Sequence, residues 1–245
     1  WDVFNKHQTG EIYKNVKWHE KIQFNFDFLR PFDGANYVEP VKDIRPLDQG
    51  FAIRIEYEGK MIIKKLQASD WEEVSFEATY PMATVRYIDK AVPLSITLQA
   101  YSPFIPLNAD DSGLPVTILS FTIENKSASA ANVTLTGWLE NKSSIYSANS
   151  EEYFRVNEGS RNEGLSGVMG SASSYNWVDE TFDHAGDYGN FFLASFNAGT
   201  KVNTDVTPDL TPSFFDTEKP ERKKIEQRKA IASVGNTASI APGAK

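Results

Sequence analysis

Leu94-Ser95-Ile96-Thr97-Leu98-Gln99 places Leu94, Ile96 and Leu98 on one face and Ser95, Thr97 and Gln99 on the other. A period of two marks a half-buried strand, not a helix. The same pattern recurs on both sides. Downstream, 116–124 reads as a strand, Asn125-Lys126-Ser127 turns it, and Val133, Leu135 and Leu139 then alternate with Thr134, Thr136 and Trp138. Upstream, Val74, Phe76 and Ala78 alternate with Ser75, Glu77 and Thr79 up to Tyr80-Pro81, and 84–88 follows. Residues 51–57, the turn Glu58-Gly59-Lys60 and Met61-Ile62-Ile63 read as a hairpin. The clearest strand is Ile22-Gln23-Phe24-Asn25-Phe26-Asp27-Phe28, with four apolar residues on one face. Short strands broken by turns at this spacing, with no helix-length amphipathic run between them, predict an all-β fold. The expected architecture is a large antiparallel β-sandwich with long loops and little helix, a single domain over 1–245.

Order weakens between 141 and 190, where Gly159, Gly164, Gly167, Gly170, Gly186 and Gly189 crowd among Ser and Asn; long loops are expected there. Residues 191–196 return to strand character. The polar stretch 218–229 has one apolar residue to bury, Ile225, and reads as a short surface helix or a mobile loop. Residues 231–240 close the chain with a strand.

Between the strands at 94–99 and 116–124 lies Ala100-Tyr101-Ser102-Pro103-Phe104-Ile105-Pro106-Leu107-Asn108-Ala109-Asp110-Asp111-Ser112-Gly113-Leu114-Pro115. It is too long for a hairpin turn. Its three prolines restrict φ, so one shape is expected. Two readings stay open. Phe104, Asn108, Asp110, Asp111 and Ser112 are candidate binding residues on a loop that reaches toward a cleft or a partner domain. Alternatively the segment is an Ω-loop held by its own turn hydrogen bonds. Asp110-Asp111-Ser112 has oxygen ligands suited to Ca²⁺, but an Asx-type turn is the simpler use of those residues.

Bulk properties exclude several functions. The 245 residues carry a net charge of −8, which repels a phosphate backbone, so no nucleic-acid partner is expected. Hydrophobic residues at 40% are enough for a buried core, and aromatics at 13% favour strands. There is no cysteine, which excludes disulfides, thiolate metal sites and a cysteine nucleophile. Compartment is left open by that absence, a secreted or periplasmic bacterial setting being favoured. No apolar run is long enough for a membrane span. The chain opens on Trp1 and stops at Pro242-Gly243-Ala244-Lys245, a turn that ordinarily introduces another strand, so a piece of a longer protein is expected.

Catalytic motifs are missing. His7, His19 and His184 have no metal-ligand spacing, and no metal or cofactor is expected. Gly164-Leu165-Ser166-Gly167 falls one residue short of a nucleophile elbow. Asp110 and Asp111 are adjacent and would point apart on an extended backbone, so they do not form the separated carboxylate pair that glycoside hydrolysis needs. No catalytic pair is assigned. Asn125-Lys126-Ser127, Asn132-Val133-Thr134 and Asn141-Lys142-Ser143 are glycosylation sequons.

The run Ser102-Pro103-Phe104-Ile105-Pro106-Leu107-Asn108-Ala109-Asp110-Asp111-Ser112-Gly113-Leu114-Pro115 resembles the signature of one glycosidase family's N-terminal domain. The family is that of the bile-acid β-glucosidases (non-lysosomal glucosylceramidases), glycoside hydrolase family 116. Trp1-Asp2-Val3-Phe4-Asn5 is similar to that family's opening. Ile231-Ala232-Ser233-Val234 with Ala238-Ser239-Ile240-Ala241-Pro242-Gly243 is similar to the domain's last strand pair. The middle, about 143–229, carries little of the likeness. The resemblance implies a supersandwich-like β-sandwich that precedes an (α/α)₆ barrel. That barrel bears both catalytic carboxylates and performs retaining hydrolysis of β-glucosides. This chain would then be a non-catalytic accessory domain. Its partners would be the downstream catalytic domain and, through it, a β-glycoside substrate. The alternative is a stand-alone carbohydrate-binding or adhesion sandwich using Trp138, Trp177 or Tyr188.

Overall fold

In the computed structural model, the described residues are 47–145, 147–148, 151–162, 164–175, 188–226 and 228–245. The expected strand at 22–28, the opening 1–5, His7, His19, Trp177 and His184 lie outside them. The described residues form antiparallel sheets with two very short helices, so the fold is the all-β, sandwich-like one the alternation predicts. Among the described residues, no helix is long and apolar enough to cross a membrane. They group into two compact units, each described separately.

The first unit covers 50–137, 210–215 and 235–245. One sheet places β3 (Glu73–Thr79), β4 (Met82–Ile88), β5 (Leu94–Tyr101) and β6 (Ile118–Asn125) side by side in that order. Facing it are β2 (Lys60–Lys65), β1 (Gln49–Tyr57), residues 131–137 of β7 (Ala131–Glu140) and residues 235–240 of β13 (Ile231–Ile240). The register stacks cross-strand rows on the inner face of the first sheet. One row is Val74, Tyr87, Ile96 and Ile123; the next is Phe76, Val85, Leu98 and Phe121; the third is Ala78, Ala83, Ala100 and Leu119. Ile96 packs in the core with Ile53, Ile55, Trp71, Leu94 and Val133.

Two expectations are corrected in this unit. The segment 100–115 is not loop throughout, because α1 (Ala109–Ser112) interrupts it. Strand β7 is not half-buried. Thr134 and Thr136 are as buried as Val133, because a layer covers the second face as well. There α2 (Pro212–Asp216) buries Phe214 and Phe215, and the Arg54 guanidinium sits 5.4 Å from the Phe215 ring centroid and bonds Thr134. Polarity placed the threonines outside; a cation–aromatic layer and hydroxyl bonding, including Thr134 to Thr237 at 3.0 Å, keep Thr134 inside, while the Thr136 hydroxyl is buried without a hydrogen-bond partner among the described residues.

The second unit comprises the described residues of 47–49, 138–209 and 216–234. Its sheet runs β10 (Phe191–Ser195), β9 (Leu165–Ser174), β8 (Tyr153–Asn162), β12 (Lys223–Ile225). Val168 packs with Val202 of β11 (Lys201–Asn203) and with Ala232. Here the sequence misleads most. The glycine-rich stretch expected to hold long loops contains two ten-residue strands, β8 and β9. Three of its glycines answer close approach within the sheet rather than loop freedom. A Cβ on Gly170 would meet the Phe191 ring at 1.9 Å, one on Gly167 the Leu193 carbonyl at 2.4 Å, and one on Gly159 the Pro220 carbonyl at 2.4 Å. The stretch 218–229, expected as helix or mobile loop, holds edge strand β12, because Ile225 is buried and pairs opposite Arg155.

Candidate functional site

The candidate residues meet at one end of the β3–β6 sheet. Met82 pairs with Tyr101 and Tyr101 with Ile118, so the β3–β4 turn and the β5–β6 connection leave the sheet at the same end. The connection is held by its own polar groups. Asn108 caps α1: its Oδ1 accepts from the Asp111 N–H at 3.1 Å, and its Nδ2 donates to Asp111 Oδ2 at 2.7 Å. Ser112 Oγ accepts from the Ile105 N–H at 2.9 Å and donates to the Ile105 carbonyl at 3.0 Å, closing the loop on itself. Thus Asn108, Asp111 and Ser112 do internal structural work of the Asx and capping kind. Asp110 and Asp111 stand on a helical turn rather than an extended backbone, about 100° apart around its axis.

Asp110 and Asp111 stay exposed, and the apolar side chains of the loop face out as well. Phe104, Ile105, Leu107, Leu114 and Val116 are all exposed. Leu107 is fully exposed and sits at φ 66°, a left-handed conformation that disfavours a side chain with a Cβ. The Phe104 ring meets Tyr80 of the β3–β4 turn edge-on, with centroids 5.3 Å apart. Among the described residues, Phe104 reaches beyond its own loop through this ring contact with Tyr80.

Sequence reasoning missed the sheet surface beside this loop. Phe76, 68% exposed, and Leu119, 41% exposed, lie on the same face as wholly buried Ile96. The signal was present: Phe76 and Leu119 occupy the apolar phase of their strands, and only a covering element decides whether that phase is buried.

Other candidates disperse. Trp138, offered as an exposed sugar platform, is 6% exposed, and its indole N–H donates to Asp48 Oδ1 at 3.0 Å. That corrects the expectation; its amphipathic ring was read as surface, but the Asp48 carboxylate satisfies the N–H inside. Tyr188 is exposed as expected. Asn125 and Asn141 are buried and hydrogen-bonded, which leaves Asn132 as the exposed sequon asparagine.

Buried or part-buried carboxylates are matched to cations and donors. Glu140 accepts from the Asp48 N–H at 2.9 Å and faces Lys142 at 3.6 Å, while Asp48 holds Lys229 at 2.7 Å and raises its pKa. In the first unit, the hydrogen bond from Lys64 at 2.6 Å holds the Asp89 carboxyl below its usual range. Such matched pairs are the arrangement of structural junctions, whereas a general acid needs a carboxyl raised above its normal value. Among the described residues, no three of His, Cys, Asp and Glu gather as a metal-binding group.

Residues 42–245 match the family described as beta-glucosidase 2, glycosyl-hydrolase family 116 N-term. None of the curated proteins matches the chain.

Proposed function

The chain belongs to the N-terminal domain family of glycosyl-hydrolase family 116, and on that premise we propose that it is a non-catalytic accessory domain of a β-glucosidase-type hydrolase. It packs on a downstream catalytic (α/α)₆ barrel and shapes that barrel's cleft. The parent protein performs retaining hydrolysis of β-glycosides, glucosylceramide-type substrates among them, and the accessory domain alone does not turn over.

The observation that carries this reading is the 103–115 loop. It ties Asn108, Asp111 and Ser112 into internal hydrogen bonds and presents Phe104 and Leu107 outward. A loop that is rigid and outwardly apolar is suited to docking against a protein wall. A second reading, a stand-alone glycan-binding module, draws on exposed Tyr188 and Phe192; it is weakened by the burial of Trp138.

Loop variants test the cleft-shaping role. Phe104→Ala and Asp111→Ala in the full-length protein are each expected to lower kcat/KM for a β-glucoside by about tenfold, equivalent to roughly 1.4 kcal/mol. The first removes the outward ring, and the second removes the carboxylate that fixes Asn108. Unchanged kinetics and unchanged stability in both variants would remove the loop from the cleft.

A further inference from the structure

The inner face of the β3–β6 sheet is one surface in two states. The row containing Ile96 is covered by the opposing sheet. Two rows further along, Ala78, Ala83, Ala100 and Leu119 stand side by side, and Ala78 and Leu119 are exposed. Three alanines in one row keep the surface close to the backbone, while Phe76 and Leu119 rise beside them. The Tyr80–Phe104 ring pair belongs to the turn and loop at the same sheet end. A low apolar strip flanked by larger apolar side chains is the relief that accepts a closely packed segment of another chain or domain.

We infer that this strip is the seat of the catalytic domain of the same polypeptide, which lays an apolar-faced segment across the alanine row. The inference rests on the accessory-domain reading above and extends it from the loop to the sheet. The occupant follows from two observations. The matched family is the N-terminal part of a glycosyl hydrolase, so its hydrolase portion is tethered to this domain at high effective concentration. In addition, Phe76, Leu119 and the alanines offer neither hydrogen-bonding groups for a sugar nor a cation for a phosphate.

The chain has no cysteine, so a single introduced thiol reports on one place. Phe76→Cys and Leu119→Cys are prepared in the 245-residue chain and in the full-length gene product. Alkylation by a maleimide is then followed at the peptide level by mass spectrometry. The expected result is rapid labelling in the 245-residue chain and labelling about a hundredfold slower in the full-length protein, because the thiol reacts only when the domains part. Phe76→Asp adds a second readout. It should leave the Tm of the 245-residue chain unchanged and lower that of the full-length protein by about 5 °C. Equal labelling rates in the two proteins overturn the inference, as does slowing that needs added phosphatidylcholine vesicles. Slow labelling in the 245-residue chain also overturns it, assigning the cover to a second copy if dilution speeds the reaction and to the chain itself if not. Hydrolysis of a β-glucoside by the 245-residue chain would instead defeat the accessory reading, whatever the labelling rates.

Discussion

Asn125→Asp is expected to cost the chain about 4 kcal/mol of stability at pH 7, the largest single-residue effect the structure predicts. Asn125 is 0% exposed at the end of β6. Its Nδ2 donates to the Ser129 carbonyl at 2.8 Å and the Ile240 carbonyl at 2.9 Å. Its Oδ1 accepts from the Ser127 N–H at 3.0 Å and the Ser127 hydroxyl at 2.7 Å. One side chain thus ties the end of β6, the turn after it and the end of β13. Aspartate has the same shape but cannot donate when ionised, and its carboxylate would face two carbonyl oxygens without water.

The pH dependence gives a check specific to this mechanism. Burial raises the new carboxyl's folded pKa above its unfolded value of about 3.9. The deficit is therefore small below that unfolded value and grows as pH rises above it, until the folded carboxyl itself ionises. Urea unfolding from pH 4 to 8 measures this, with Asn132→Asp as the exposed control at about 0.5 kcal/mol or less. A loss under about 1 kcal/mol at pH 7, or one independent of pH, would contradict the assignment.

The second large effect is a contrast across one face. Ile96→Ala is expected to lose about 3 to 4 kcal/mol, since Ile96 is 0% exposed amid the core and its removal leaves a cavity. Phe76→Ala, on the neighbouring row of the same face, is expected to lose about 0.5 kcal/mol or less in the 245-residue chain. Phenylalanine ordinarily loses more than isoleucine on truncation in a core, so this order is the reverse of what side-chain size alone predicts. Thermal or urea unfolding of the two variants decides it. A Phe76→Ala loss equal to that of Ile96→Ala would mean that Phe76 is covered within the chain.

The strands around 94–99 were legible because alternation reports directly on a sheet with one wet face. Thr134, Thr136 and Trp138 were misread because β7 is covered on both faces, and a covered threonine looks identical in sequence to one facing water. Gly159, Gly167 and Gly170 were misread because a missing Cβ serves loop freedom and close packing equally; only the position of Phe191, Leu193 and Pro220 distinguishes them. At the candidate site, the internal hydrogen bonding of the 103–115 loop was legible from its short polar residues. The direction of its side chains was not. Asn108 and Ser112, candidates for binding, hydrogen-bond within the loop, and Phe104 and Leu107 are exposed. The strip through Ala78, Ala83 and Ala100 needed the strand register to appear at all, since those residues come from three strands.

We propose that this domain supports hydrolysis without performing it. The most direct measurement is the hydrolysis of a panel of chromogenic β-glycosides by the purified 245-residue chain beside the full-length protein. Turnover by the full-length protein and none by the chain is the predicted result. Turnover by the chain at a comparable rate would contradict this proposal, and would place a carboxylate pair within these residues.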